Sequence, residues 1–86
     1  MASHKIIFQG RAAKEIEEMD GETAKIILRK LRWYANHENP LFFAVRLKSR
    51  AIGQYRFRIG SYRAIFDIQD DAIIILRVGH RSTVYR

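Results

Sequence analysis

Apolar and polar positions alternate through two runs in the second half of the chain, which predicts a β-hairpin. Tyr55 to Ile59 and Tyr62 to Ile68 are rich in aromatic and β-branched residues, which favour strands. The Gly-Ser dipeptide between them fits a two-residue type II′ turn, because glycine tolerates the positive φ of the first central position. In this register Arg58 lies opposite Arg63.

Helical spacing of apolar residues marks two segments in the first half. Residues 11–20 and 22–36 each place apolar side chains on one face, which predicts two amphipathic helices joined by a tight turn. Asp20 is predicted to cap the second helix. A short strand, His4 to Phe8, precedes the helices, and a turn of helix is expected within Leu41 to Val45.

A further strand is predicted from Ala72 to Val78, after a turn at "QDD". Strict alternation points one set of its side chains toward the core and the other set outward. The inward set is Ala72, Ile74, Leu76 and Val78, and the outward set is Ile73, Ile75 and Arg77. The fold class is therefore α+β: an N-terminal strand and a helical hairpin packed on an antiparallel sheet, forming a single domain over residues 1–86.

Composition narrows the setting in which such a domain acts. The chain has no cysteine, which suits a reducing cytoplasm. No apolar run approaches the roughly 20 residues of a membrane span, and the N-terminus lacks a signal-peptide layout. The three histidines show no metal-ligand spacing, so no metal, cofactor or membrane contact is expected.

Charge is distributed unevenly along the chain, whose net charge is +7. Residues 1–45 carry seven Lys/Arg against six Asp/Glu, net +1, whereas residues 46–86 carry nine against three, net +6. Alternation places up to five arginines on the face of the sheet away from the helices, Arg81 among them if alternation continues through Gly79: Arg56, Arg58, Arg63, Arg77 and Arg81. Directly opposed like charges about 5 Å apart repel by about 3 kcal/mol at an effective dielectric of about 20. This face is therefore expected to bind an anion, nucleic acid first.

Four short motifs, in this order along the chain, resemble those of the RelE-type toxins of the RelE/ParE toxin–antitoxin superfamily. They are Leu47-Lys48, "YRFRIGSYRAIF", "ILRVGHR" and the terminal "VYR". The resemblance implies a RelE-like fold and a ribosome-dependent endoribonuclease that cuts mRNA. In this metal-independent chemistry the ribose 2′-oxygen attacks the neighbouring phosphate and the 5′-oxygen leaves. It also implies a cognate acidic antitoxin as partner.

By the same resemblance, Arg63 matches the phosphate-stabilising arginine that follows the hairpin turn. Arg81 matches the arginine after the last strand, and Tyr85 matches the C-terminal tyrosine that positions or stacks on the substrate. Arg56 and Arg58 match basic positions that are lysines in the founding member. Because a guanidinium is essentially never deprotonated, these arginines stabilise charge but do not serve as a base.

The proton acceptor is accordingly expected elsewhere. His80 has a suitable intrinsic pKa, but strict alternation turns it inward unless Gly79 interrupts the strand. Lys48 is a second candidate if neighbouring arginines lower its pKa, and otherwise a phosphate contact. Arg77 is expected to contact phosphate.

Apolar residues within the basic surface suggest where an acidic amphipathic antitoxin segment binds. Ile26 and Trp33 lie on a helical stripe separate from the core. Ile65, Ile73 and Ile75 are expected among the outward arginines.

Two other functions stay open, and the first belongs to another branch of the superfamily that the sequence resembles. A ParE-like toxin would inhibit DNA gyrase without catalysis, although such toxins generally lack the combination of basic residues and tyrosine seen here. A basic RNA-binding module would bind phosphate with a steep salt dependence and leave RNA intact.

Overall fold

The computed structural model describes residues 3–85 as a five-stranded sheet with two helices packed on one face. The strands are β1 (Lys5–Phe8), β2 (Ala44–Arg46), β3 (Tyr55–Ile59), β4 (Tyr62–Gln69) and β5 (Ala72–His80), and the helices are α1 (Gly10–Glu18) and α2 (Gly21–Ala35). The strand order is β1-β5-β4-β3-β2. The predicted α+β class is confirmed.

The sheet is mixed rather than wholly antiparallel. β1 runs parallel to β5, with Lys5 paired to Ala72, whereas the other strand pairs are antiparallel. The connection from β1 runs through both helices and leads to β2, at the opposite edge of the sheet. The segment predicted as a helical turn forms a 3-10 helix over Pro40–Phe43 and then the unpredicted edge strand β2.

The hairpin of β3 and β4 has the predicted register. Arg58 pairs with Arg63, and Ile59 pairs with Tyr62. Gly60 has φ +60°, and Ser61 does not share this left-handed conformation, which agrees with a type II′ turn. The β4–β5 turn uses Asp70 at φ +56°, a conformation that aspartate tolerates better than most residues.

Both helices start and end within two residues of their predicted bounds. The side chain of Asp20 accepts a hydrogen bond from the Thr23 backbone N–H at 3.3 Å, so the predicted cap is confirmed. The Tyr34 ring of α2 stacks on Phe57 of β3 at 4.2 Å between centroids, which fixes α2 against the sheet. Over residues 3–85, no helix has the length and apolar content needed to cross a bilayer.

A β-bulge at Leu76 reverses part of the predicted facing of β5. Ile65 pairs with Arg77 but Phe66 pairs with Ile75, so Leu76 has no counterpart on β4. The extra residue shifts the alternation by one position. Ile73 and Ile75 therefore point into the helix-covered core, where they are 1% and 0% exposed, and their predicted outward orientation is wrong.

Beyond the end of β1, a side chain of α1 forms hydrogen bonds along the edge of β5. One carboxylate oxygen of Glu15 accepts from the Val78 backbone N–H at 3.0 Å, and the other accepts from Arg77 Nε at 3.0 Å. The side chain thus replaces the strand neighbour that β5 lacks at this level. This contact anchors α1 beside the end of β5 that leads to the C-terminus.

Candidate functional site

Four arginines gather at the turn end of the outer face, defined as the face of the sheet away from the helices. Arg56 and Arg58 are two positions apart on β3 and point to the same face, and Arg63 lies opposite Arg58 on β4. Arg81 follows β5, and its backbone N–H donates to the Ser61 carbonyl at 2.8 Å, which holds it beside the turn. Arg56, Arg58, Arg63 and Arg81 are called the arginine cluster below.

Arg63 is the anchored member of the arginine cluster. It is 8% exposed, and its Nη1 donates to the Gly60 carbonyl at 3.0 Å and the Tyr62 carbonyl at 2.8 Å. Burial, followed by repulsion from Arg58, lowers the pKa of Arg63. Among the described residues no fully buried side-chain nitrogen lacks a hydrogen bond, so the other guanidinium nitrogens of Arg63 retain access to solvent. Nη1 of Arg63 is therefore fixed by the turn, and the remaining guanidinium nitrogens can donate to an anion.

Tyr85 reaches the arginine cluster because the C-terminal turn folds back over β5. Val84 is 0% exposed and packs over Gly79, where a Cβ would lie 3.4 Å from the Val84 side chain, an ordinary van der Waals contact. Arg56 Nη1 then donates to the Tyr85 hydroxyl at 3.0 Å. Four guanidinium groups and one phenol thus form a single site.

His80 does not join this site. It pairs with Tyr62 on β4 and packs edge-on against that ring at 5.5 Å, on the face opposite Arg63. Its Nδ1 accepts from the Ser82 backbone N–H at 3.1 Å. Alternation persists through Gly79, so the interruption required for a catalytic His80 does not occur.

Lys48 and Arg77 also lie outside the arginine cluster. Lys48 is exposed, and the neighbouring Leu47 N–H donates to the Gln54 carbonyl at 2.9 Å, which places Lys48 at the end of β3 remote from the turn. From Gln54 to Arg58 the strand advances about 13 Å. Arg77 faces outward but forms the ion pair with Glu15 at 3.0 Å. The predicted convergence of five arginines is therefore reduced to four.

A groove between α2 and the hairpin turn opens beside Arg58. Its volume is about 590 Å³. The residues that line it are Ile26, Arg29, Lys30, Trp33, Tyr34, Arg58, Ile59 and Gly60. Ile26 and Trp33 are 57% and 46% exposed, and Lys30 Nζ lies 4.3 Å from the Trp33 ring centre. The groove, called the α2–hairpin groove below, combines apolar surface with three cationic side chains.

The other predicted apolar anchors are inaccessible. Ile65 is 0% exposed because the loop at Gly53 lies over it: a Cβ at Gly53 would come within 2.5 Å of Ile65 Cγ2. Ile73 and Ile75 are buried in the core, as described above. Ile26 and Trp33 are the members of this set that a partner can reach.

Sequence reasoning missed Arg29 and Lys30 as parts of a site. The three-residue spacing of Lys30 and Trp33 is a signal for a cation–π contact on a helix. The groove itself depends on how α2 packs on β3, which local patterns do not specify. Within residues 3–85, no group of three or more His, Asp or Glu side chains is arranged to hold a metal ion.

Comparison with known proteins gives consistent matches over most of the chain. The profile of a family described as "ParE toxin of type II toxin-antitoxin system" matches residues 6–85. Toxin RelE3 of Methanocaldococcus jannaschii is 27% identical over 84 residues, which are 94% of this chain and 94% of that protein.

Two crystal structures share the fold. The RelBE2 toxin–antitoxin complex of Mycobacterium tuberculosis matches with a TM-score of 0.74 and 22% identity, over 92% of this chain and 99% of the matched chain. The RelE–RelB complex of Pyrococcus horikoshii matches with a TM-score of 0.71 and 20% identity, over 98% and 100%. With a family profile that spans nearly the whole sequence, the chain belongs to the ParE toxin family, within the RelE/ParE superfamily of type II toxin–antitoxin toxins.

Proposed function

We propose that this toxin is a metal-independent endoribonuclease that cuts mRNA on the ribosome and thereby stops translation in the cytoplasm. The observation that carries the proposal is the arginine cluster joined to Tyr85 by the hydrogen bond from Arg56. Such a site suits a phosphate that gains negative charge in the transition state, since fixed cationic donors then bind more tightly than in the ground state.

The proposed reaction follows from the groups present. The ribose 2′-oxygen forms a bond to phosphorus, and the bond from phosphorus to the 5′-oxygen breaks. The arginines stabilise the dianionic, phosphorane-like transition state between these two steps. Because the Tyr85 oxygen already accepts from Arg56, its hydroxyl hydrogen is available for the leaving 5′-oxygen. We assign removal of the 2′-proton to water, favoured by the positive field of the arginine cluster.

Tyr85 is thus proposed as the general acid, a role that typically contributes about 10²- to 10⁴-fold to the rate. Arg63 is proposed as the principal phosphate donor, since its orientation is fixed before substrate arrives. Arg58, Arg56 and Arg81 supply further positive charge.

The α2–hairpin groove is the proposed binding site for an antitoxin. Both structural neighbours are complexes of a toxin with an antitoxin. Here Ile26 and Trp33 offer apolar contacts, and Arg29, Lys30 and Arg58 surround them with positive charge. This combination suits an acidic amphipathic helix, such as a segment of a cognate acidic antitoxin.

In vitro translation with mapping of mRNA 5′ ends tests the enzymatic proposal. The wild-type protein is expected to produce defined cuts in ribosome-bound mRNA, and Tyr85→Phe is expected to slow them by about 10²-fold or more while the fold is retained. Lys14→Gln, a change on the exposed surface of α1, is the control. Intact mRNA with the wild-type protein, or unchanged rates for Tyr85→Phe, would contradict the proposal.

Gyrase inhibition is the second candidate, because the matching family profile is described as ParE. A supercoiling assay with purified gyrase separates the two functions. Loss of supercoiling without mRNA cleavage would assign the chain to gyrase inhibition. RNA binding without either activity would leave a binding module.

A further inference from the structure

A second pocket lies on the outer face, at the end of the sheet remote from the arginine cluster. It has a volume of about 370 Å³, within the range of small-ligand sites. Its lining comes from α1, the loop before β3 and strands β4 and β5: Arg11, Arg50, Ala51, Ile52, Gly53, Asp67, Leu76 and Arg77. It is called the loop pocket below.

The position of the loop pocket relates it to the arginine cluster. Arg63 and Asp67 both point to the outer face of β4, and four residues of strand separate them by about 13 Å. One polymer chain lying across this face can therefore contact both sites. Lys48 lies at the same end of the sheet as the loop pocket.

The loop pocket is lined by cationic, apolar and acidic side chains together, whereas a simple anion site would contain cationic or polar donors. Arg11 and Arg50 are exposed, and neither side chain forms a hydrogen bond or ion pair within residues 3–85. Ile52 and Leu76 also line the pocket and supply apolar surface. Asp67 accepts from the Gln54 N–H at 2.8 Å, and a carboxylate has further acceptor capacity.

These three kinds of group correspond to the parts of a nucleotide. Guanidinium groups bind phosphate, apolar side chains pack against a base, and a carboxylate accepts from an exocyclic amino group. A site for phosphate alone would not be expected to include Asp67, because a carboxylate repels an anion.

We propose that the loop pocket is a second RNA-binding subsite, which holds a nucleotide on the same strand as the one in the arginine cluster. The inference rests on the proposed function in that RNA is the ligand. Arg11 and Arg50 bind the backbone phosphate, Ile52 and Leu76 contact the base, and Asp67 accepts from the amino group of adenine or cytosine. Uracil has a carbonyl oxygen in place of that amino group, so it binds less well.

Binding of ten-nucleotide 2′-O-methyl RNA, which cannot be cut by 2′-oxygen attack, tests the subsite by fluorescence anisotropy. The double variant Arg11→Gln/Arg50→Gln is expected to bind oligo-A and oligo-C about tenfold more weakly than the wild-type protein. The slope of log K against log salt is expected to fall by about 1.4, since each phosphate contact to single strands contributes about 0.7. The matched control Lys25→Gln/Arg32→Gln removes two charges from α2.

Asp67→Asn tests base recognition separately, and its amide oxygen still accepts from Gln54. The wild-type protein is expected to prefer oligo-A and oligo-C to oligo-U, and Asp67→Asn to abolish the preference. Equal binding of all three RNAs by the wild-type protein, equal affinity of the Arg11/Arg50 double variant and the wild-type protein, or an equal loss in the control would overturn the subsite.

The two proposals fail in distinguishable ways. If the wild-type protein cuts ribosome-bound mRNA but the Arg11/Arg50 variant binds RNA normally, the subsite is wrong and the ribonuclease stands. If RNA binding requires Arg11 and Arg50 but no mRNA is cut, the subsite stands and the ribonuclease is wrong.

Discussion

At the residue scale, Arg63 shows how a charged side chain is held in place before any ligand binds. Two carbonyls of the hairpin turn accept from its Nη1, so the turn that creates the site also orients its central cation. Lysine would supply the charge without the fixed planar set of donors. The pairing of Arg58 with Arg63 was predictable from alternation and turn length. The two bonds from Nη1 were not, because they depend on the rotamer of one side chain.

Tyr34 provides a test of burial at the same scale. Its hydroxyl donates to the Arg58 carbonyl at 3.0 Å, and burial raises its pKa above the usual 10.0. The neutral phenol is thus favoured in the folded state, so this contribution to stability is complete below pH 10 and is lost as pH rises through the higher folded-state pKa. Tyr34→Phe is expected to lower the free energy of unfolding by about 1 kcal/mol at pH 7.

Urea unfolding of both proteins from pH 8 to pH 11 measures this effect. The stability of the wild-type protein should decline more steeply above pH 10 than that of Tyr34→Phe, so that the gap between them narrows. A gap that stays constant across this range would show that burial of the phenol is not linked to its ionisation.

At the scale of elements, the bulge in β5 marks the limit of what periodicity predicts. Strict alternation of facing was assumed for Ala72 to Val78, yet one unpaired residue at Leu76 turns Ile73 and Ile75 to the core. Every residue in this run except Arg77 is apolar, so either register satisfies the sequence pattern. The choice is made by packing against α1 and β4, which involves residues far apart in the chain.

Glu15 connects two elements that the sequence leaves unrelated. Its side chain and that of Arg77 are only 22% and 13% exposed, so the loss of its charge is poorly compensated by water. Glu15→Gln is expected to lower the free energy of unfolding by about 1 to 2 kcal/mol, as measured by urea denaturation at pH 7.

Glu22→Gln is the matched control for this effect. Glu22 pairs with Lys25 at 3.9 Å, and both side chains are largely exposed, at 83% and 71%, so the expected change is below about 0.5 kcal/mol. Equal destabilisation by the two substitutions would contradict a special role for the contact between α1 and β5.

At the scale of the whole molecule, folding segregates charge more sharply than the two halves of the sequence suggest. Glu15 is used at the edge of β5, and Asp20 caps α2. The arginine cluster contains no acidic side chain that pairs with it among the described residues. Net charge by segment predicted a polyanion-binding face, but the three-dimensional contacts were needed to show which arginines remain available.

Self-repulsion within the arginine cluster is expected to cost stability in the absence of a ligand. Arg58→Gln should therefore raise the free energy of unfolding by about 0.5 to 1 kcal/mol at 50 mM NaCl. The gain should shrink at 500 mM NaCl, because salt screens exposed charges.

Lys14→Gln removes one exposed charge on α1, outside the arginine cluster, and serves as the reference in the same urea titrations. Its stability relative to the wild-type protein should hardly change with salt. If Arg58→Gln and Lys14→Gln respond alike, the repulsion belongs to overall net charge and not to the pairing of Arg58 with Arg63.

Tyr85 lies at the end of the turn after β5, so it can be lost without loss of the fold. Val84, one residue earlier, completes the packing over Gly79, so the sheet is finished before the phenol is reached. Under the proposed mechanism, a stop codon directly after Val84 would leave a folded protein with its α2–hairpin groove intact and its general acid missing. Such a variant would compete for an antitoxin without being toxic, so harmless copies could arise by a single mutation and displace active toxin from its inhibitor.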